Sequence, residues 1–406
     1  MAKLHFANQL RGLAALFVLV SHWVGVFWAA RATVGSATAT PVQEGQIPGI
    51  LPLLFPPWLN FGPFGVALFF LISGLVIPLG LGSHTRLSFI LARGLRIYPT
   101  YGLGLALCVT VVLLNRHFWH LPVPFSWGTV LQNGLLLFDF TGRPGIDLVN
   151  WTLVIEMKFY LFMMLAAPAI RRGDPTPLFV LAVLALALNV GMAQTRFGSL
   201  PDRYPNQFAM AILESISLVF MGIGVLFAFH LRRQIATIEA LLLGGMLLAF
   251  FAAAWAIGPT GASFIPVAPN YAYALALFAL CYRLRRHFRP LPPLDGLAAI
   301  SFPLYCIHAL LGYSLLKALM IGRGLSYPAA LAVTAGSIMV VATLLHLTVE
   351  RWSINLARRL QSVPPPSRHP APGSVRRLPA FAGFAHRWRR SPPPERHSAP
   401  RSLRDR

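Results

Sequence analysis

Asn8-Gln-Leu-Arg-Gly-Leu-Ala-Ala-Leu-Phe-Val-Leu-Val-Ser-His22 opens an apolar run that continues to about residue 29, long enough to cross a bilayer as a helix. It nevertheless carries an arginine near one end and a histidine well inside. Eleven residues separate Arg11 from His22, and eleven steps of roughly 100° return to within about 20° of the starting direction. Both side chains therefore fall on one helical face, roughly 16 Å apart along the axis. Ionisable groups inside a span are costly and mark functional sites by default. A plainer reading stands beside this one: a flanking anchor arginine and a histidine that hydrogen-bonds between helices.

Working outward, the composition sets the class. Of 406 residues, 56% are hydrophobic and 11% charged, and the mean hydropathy of +0.63 is far above that of a soluble domain. The expected fold is all-α: a polytopic integral membrane protein of about ten transmembrane helices. The net charge of +22 comes almost wholly from arginine, with lysine at Lys3, Lys158 and Lys317. That charge sits in short loops and the C-terminal tail, so lipid head groups and anionic substrates fit it better than nucleic acid. Cys108, Cys281 and Cys306 fall in apolar runs without paired or metal spacing and read as buried small residues. No cleavable signal peptide is expected, since the first run lacks a clear small-residue cleavage site.

Candidate spans lie at about 9–29, 62–81, 97–114, 150–170, 177–193, 207–229, 240–257, 269–283, 298–318 and 327–348. The stretch 128–140 is apolar but too short to cross, and reads as re-entrant or interfacial. Arginine is dense in alternate connections (Arg86, Arg93, Arg96; Arg171, Arg172; Arg232, Arg233; Arg283, Arg285, Arg286, Arg289) and sparse in those between. By the positive-inside rule both termini are then cytoplasmic, which requires an even number of spans. The body is expected to occupy residues 1–360. Residues 361–406, rich in Pro, Ser and Arg, read as a disordered cytoplasmic tail drawn to anionic lipid.

Acidic groups are few, and Glu156 and Glu214 are the ones that fall clearly inside spans. Glu156 and His22, entering from opposite sides, come out at similar depth. A carboxylate beside an imidazole fixes the tautomer and favours the imidazolium, as a general base requires; pairing of Glu156 with an arginine is the competing arrangement. Lys158 and Glu214 also share a depth and read as a structural ion pair. Arg93-Gly-Leu-Arg-Ile-Tyr-Pro99 brings two more guanidiniums near the level of Arg11, where forked donors suit phosphate oxygens or, more plainly, anchor the membrane surface.

Taken in register, five blocks resemble the integral membrane acyltransferase-3 family: Arg11-Gly-Leu-Ala-Ala-Leu with His22; Gly65-Val-Ala-Leu-Phe-Phe-Leu-Ile-Ser-Gly74; Arg93 to Pro99; Asn150-Trp-Thr-Leu-Val-Ile-Glu156 with Phe159-Tyr-Leu161; and Ser301-Phe-Pro-Leu-Tyr-Cys-Ile-His308. Thr152 stands where serine is common, and Val349-Glu-Arg-Trp352 lacks the proline often found after that glutamate, so Glu350 receives no functional role. The resemblance implies transfer of an acyl group, acetyl above all, from cytoplasmic acyl-CoA to a hydroxyl of a cell-envelope glycan, lipid-linked sugar or other glycoside. It also implies a multi-pass protein of a bacterial-type inner membrane.

Carried onto this chain, the resemblance makes Arg11, Arg93 and Arg96 the ligands of the CoA phosphates, His22 the general base and Glu156 its orienting partner. Ser73, Asn150, Tyr305 and His308 remain candidates for oxyanion or acceptor contacts, Ser73 also for a nucleophile, while His308 reads more readily as a structural hydrogen-bonding residue. Acyl-CoA is a co-substrate; no bound cofactor and no metal are expected. A proton-coupled transporter or glycolipid flippase, with His22 and Glu156 as a relay, is the alternative class.

Overall fold

The computed structural model describes residues 4–49, 56, 58–81, 85–196 and 199–361. The tail beyond them and part of the 31–61 connection lie outside the described residues, as does the tail's expected disorder. Among the described residues the secondary structure is entirely helical. Eight continuous helices are long and apolar enough to cross a membrane: α1 (His5–Ala29), α3 (Phe61–Leu81), α4 (Arg86–Trp119), α9 (Thr176–Ala193), α10 (Pro205–Leu231), α11 (Thr237–Ile257), α12 (Gly261–Arg283) and α15 (Tyr327–Arg359). The pair α13 (Pro292–Ile307) and α14 (Leu310–Gly322) is long and apolar enough only when taken together, and it bends by 74° at the residues between them, as a broken span or a re-entrant loop does.

The expected span at 150–170 is the exception. It is divided at Ala166 into α7 (Trp151–Leu165, 15 residues) and α8 (Ala167–Arg172). Pro168, in the first turn of α8, offers no backbone N–H to continue the ladder across the joint. Neither piece alone is long enough to cross, so the count of ten holds only if the two are taken as one crossing.

Packing sorts the helices. The best window of α3 is 72% buried and that of α10 78%, whereas α9, α11 and α12 are 22% buried. Helices α3 and α10 thus form the centre, and the others turn apolar faces such as Leu241 and Leu242 outward, as lipid-facing helices do. The central pair touches backbone to backbone. A Cβ on Gly74 would meet the Met221 carbonyl oxygen at 2.2 Å and the Gly224 Cα at 2.9 Å. Only glycine permits that approach.

The alternation of loop charge has a structural counterpart at one end of the bundle. Arg171 donates to the Leu81 carbonyl at 3.1 Å. Arg232 donates to the carbonyls of Pro78 and Leu79, both at 3.0 Å. Helix ends that the arginine pattern assigned to one side therefore meet. The 128–140 stretch forms α5 (Trp127–Gly134) and α6 (Phe138–Thr141). Tyr98 donates to the Leu135 carbonyl at 3.2 Å and Tyr101 to that of Asn133 at 2.8 Å. Tyr98 lies roughly 18 Å from the Arg86 end of α4 and roughly 31 Å from its Trp119 end. The segment therefore reaches deep beside α4, as a re-entrant element does.

Lys158 and Glu214 pair at 2.5 Å, as their depths suggested. The sequence reading had missed a second carboxylate there: Asp139, carried in by α6, also bonds Lys158. This ties the re-entrant element, α7 and α10 into one knot.

Gly74→Val should force α3 and α10 apart at a cost of about 1–3 kcal/mol, the range for overpacking. Its thermal midpoint in detergent should fall, while Gly244→Ala, with nothing within 4 Å of the new methyl, should not lower it.

Candidate active site

Helix α1 does not run as a uniform helix. Its Ser21–Val26 segment is a π-helical turn, a distortion that recurs at functional sites, and His22 stands in it. Tyr327 donates to the Trp23 carbonyl at 3.0 Å, satisfying a backbone group within the widened turn. Opposite lies the break between α13 and α14. The Trp23 indole donates to the His308 carbonyl at 2.8 Å there, and a Cβ on Gly312 would strike that indole nitrogen at 2.4 Å. Two broken helices thus hold each other in contact.

Between them His22 is held from two sides. Its Nδ1 lies 2.7 Å from the Tyr313 hydroxyl. The rings of His22 and His308 meet edge to face, with centroids 5.0 Å apart and planes at 88°. His308 is buried and donates from Nδ1 to the carbonyls of Tyr305 (2.9 Å) and Leu304 (3.2 Å). Among the described residues its Nε2 is buried without a hydrogen-bond partner.

An internal cavity with ≈ 1000 Å³ of empty space, part of it open, joins the His22 imidazole to the arginines. Six residues that the sequence singled out line it: Arg11, His22, Ser73, Arg96, Glu156 and Tyr305. Arg11 and His22, placed on one face by their spacing, do face one space. Phe69, Phe70 and Met221 supply apolar wall.

Other expectations are revised by the contacts. Glu156 accepts a hydrogen bond from Tyr160 and is not among the hydrogen-bond partners of His22, whose partner is Tyr313. Glu156 interacts electrostatically with Arg11, Arg93 and Arg96, while its hydrogen-bond partner is Tyr160. Arg93 is not part of the cavity wall; its guanidinium stacks on the rings of Phe89 and Tyr160, 5.2 Å from each centroid.

Two candidate oxyanion donors are already engaged elsewhere. The Tyr305 hydroxyl donates to the Val149 carbonyl and accepts from Thr152. Asn150 is buried outside the cavity wall and donates to Tyr101 at 3.2 Å. Ser73 remains on the wall.

Glu350, given no role from sequence, is buried, 2.6 Å from His346 Nδ1, and interacts electrostatically with Arg11 and Arg96. Three guanidiniums therefore share two carboxylates, leaving this end of the cavity positive. Such an end attracts phosphate.

The fold and site define a polytopic helical membrane protein with an internal cavity, basic at one end and imidazole-lined within. A family model described as an acyltransferase domain matches residues 4–347, and the chain belongs to that acyltransferase-3 family. It is accordingly an acyltransferase, and the transporter or flippase reading is set aside. Nodulation protein 10 of Rhizobium leguminosarum bv. viciae is 29% identical over 291 residues, covering 65% of this chain and 76% of that protein. No solved structure matches.

Tyr305→Phe removes one buried hydroxyl and strands the Val149 carbonyl and Thr152. Stability should drop by about 1–3 kcal/mol, read as a lower thermal midpoint. The turnover of folded protein should stay within about threefold of wild type, where loss of an oxyanion donor would cost about 100-fold or more.

Proposed function

We propose that the chain moves an acyl group, acetyl being the expected one, from cytoplasmic acyl-CoA to a hydroxyl of a cell-envelope glycan, lipid-linked sugar or other glycoside. The reading places it as a multi-pass protein of a bacterial-type inner membrane, with both termini cytoplasmic by its arginine pattern. One observation carries it: the guanidiniums of Arg11 and Arg96 and the imidazole of His22 line a single cavity.

In this reading Arg11 and Arg96 hold the phosphates of CoA, with charge-assisted bonds that a carboxylate-lined wall could not offer. Arg93 acts behind them by fixing the ring of Tyr160. The pantetheine arm runs along the apolar wall toward His22, and roughly 16 Å along α1 separates the phosphate ligand from the imidazole. The hydroxyl oxygen attacks the thioester carbonyl beside His22, and its proton passes to the imidazole pair formed by His22 and His308. Glu156 serves the arginines rather than the base.

The test is transfer itself. Purified protein in lipid nanodiscs, given acyl-labelled acetyl-CoA and soluble or lipid-linked sugars, should move label to the sugar. Label remaining on CoA with every acceptor would overturn the reading. His22→Ala should lower turnover about 100-fold or more while the protein still folds. Arg11→Ala should raise the KM for acyl-CoA about 10-fold or more, the loss expected for a charge-assisted phosphate contact; an unchanged KM would remove Arg11 from the donor site.

A further inference from the structure

The hydrogen bonds around the two imidazoles carry more than their proximity. Tyr313 is fully buried, and His22 Nδ1 is its hydroxyl's hydrogen-bond partner among the described residues. If Nδ1 carried the proton and donated it to the phenol oxygen, the phenol hydrogen would be left buried without an acceptor. If the phenol donates to a bare Nδ1, its buried hydrogen is satisfied, and the ring hydrogen goes to the other nitrogen of a residue that lines the open cavity. The second arrangement puts the proton of neutral His22 on Nε2. His308 is fixed the opposite way. Its Nδ1 faces two carbonyl oxygens, which can only accept, so Nδ1 carries the proton and Nε2 is bare.

We propose, resting on the acyl-transfer reading above, that the two rings divide the chemistry: His22 presents Nε2–H to the thioester oxygen, and His308 presents a bare Nε2 to the acceptor hydroxyl. This reverses the role that the sequence gave His22. The space for the hydroxyl is a narrow apolar side pocket lined by His308 and Leu304, which shares Val18, Phe69, Ser301 and Tyr305 with the main cavity. It admits roughly one water-sized group, the size of a single hydroxyl oxygen. An orphaned acceptor beside a pocket of that size is explained by a donor that arrives with substrate.

The step balances. The hydroxyl oxygen forms a bond to the thioester carbonyl carbon as its proton moves to His308 Nε2. The negative charge developing on the carbonyl oxygen is held by His22 Nε2–H, a neutral imidazole acting as hydrogen-bond donor. The carbon–sulfur bond then breaks, and the departing thiolate takes the proton back from His308. The products are an ester and a thiol, and both imidazoles return to their starting tautomers.

The tautomers can be read directly. In protein labelled with ¹⁵N-histidine, with the two rings assigned by their loss in His22→Gln and His308→Gln, His22 should show its proton on Nε2 and His308 on Nδ1. Tyr313→Phe should turn His22 into a mixture and leave His308 unchanged. A His22 ring protonated at Nδ1 in the wild type would overturn the proposal, whatever the acceptor proves to be. In the transfer assay, His308→Gln should lower kcat about 100-fold with the KM for acyl-CoA within about threefold; wild-type kcat in folded His308→Gln would also overturn it. A wild type that transfers no acyl group at all would instead defeat the acyl-transfer reading and leave the tautomer result standing.

Discussion

Charge drawn into a low-dielectric bundle must be balanced there, and the balance around Arg11 and Arg96 organises the cavity. Two carboxylates far apart in the sequence supply it. Glu156 arrives on α7 and Glu350 on the π-helical turn of α15. Their fields act on both arginines. Removing either carboxylate would leave excess positive charge, while removing the arginines would leave buried anions with no cation. The arrangement also stops short of neutrality, which keeps the end of the cavity attractive to an anion.

The imidazoles depend on a different constraint. In the membrane interior every backbone polar group must find a partner, so a helix can be broken only where another element makes good the loss. At the α13–α14 break the partner is the Trp23 indole, and within the π-helical turn of α1 it is the Tyr327 hydroxyl. The distorted turn of α1 thus supplies the group that makes the α13–α14 break tolerable, and α15 in turn satisfies the turn of α1. Straightening either helix would move His22 or His308 off its contact, which is why the pair sits at the one place where both helices fail together.

Much of this was legible in sequence, and what was not has a physical reason. Most of the spans, the Arg11–His22 face, the Lys158–Glu214 pair and the short, non-spanning character of 128–140 follow from periodicity and depth, which are local properties. Depth along an axis does not fix direction around it, however. Glu156 and His22 share a depth, yet Glu156 turns to Tyr160 and the arginines. Tyr313 lies 291 residues from His22 and follows a helix break that no spacing announces. Asp139 was overlooked because it sits in a stretch too short to span, and Glu350 because its motif departs from the usual pattern. A buried carboxylate near an arginine-lined end was still a foreseeable need, since unbalanced guanidiniums seldom persist.

The pair Arg93 and Arg96 shows how one short motif can hold two kinds of work. Three residues apart on α4, they were read as equivalent phosphate ligands, yet Arg96 lines the cavity while Arg93 lies over the rings of Phe89 and Tyr160. Tyr160 in turn donates to Glu156, whose charge acts on Arg11 and Arg96. Arg93 therefore reaches the basic end of the cavity through a ring and a carboxylate rather than by contact. A guanidinium suits that task because it is planar and can lie flat on an aromatic face, which a lysine ammonium cannot do as well. The spacing of the two arginines thus couples the guanidinium on the cavity wall to the one that keeps its counter-charge in place.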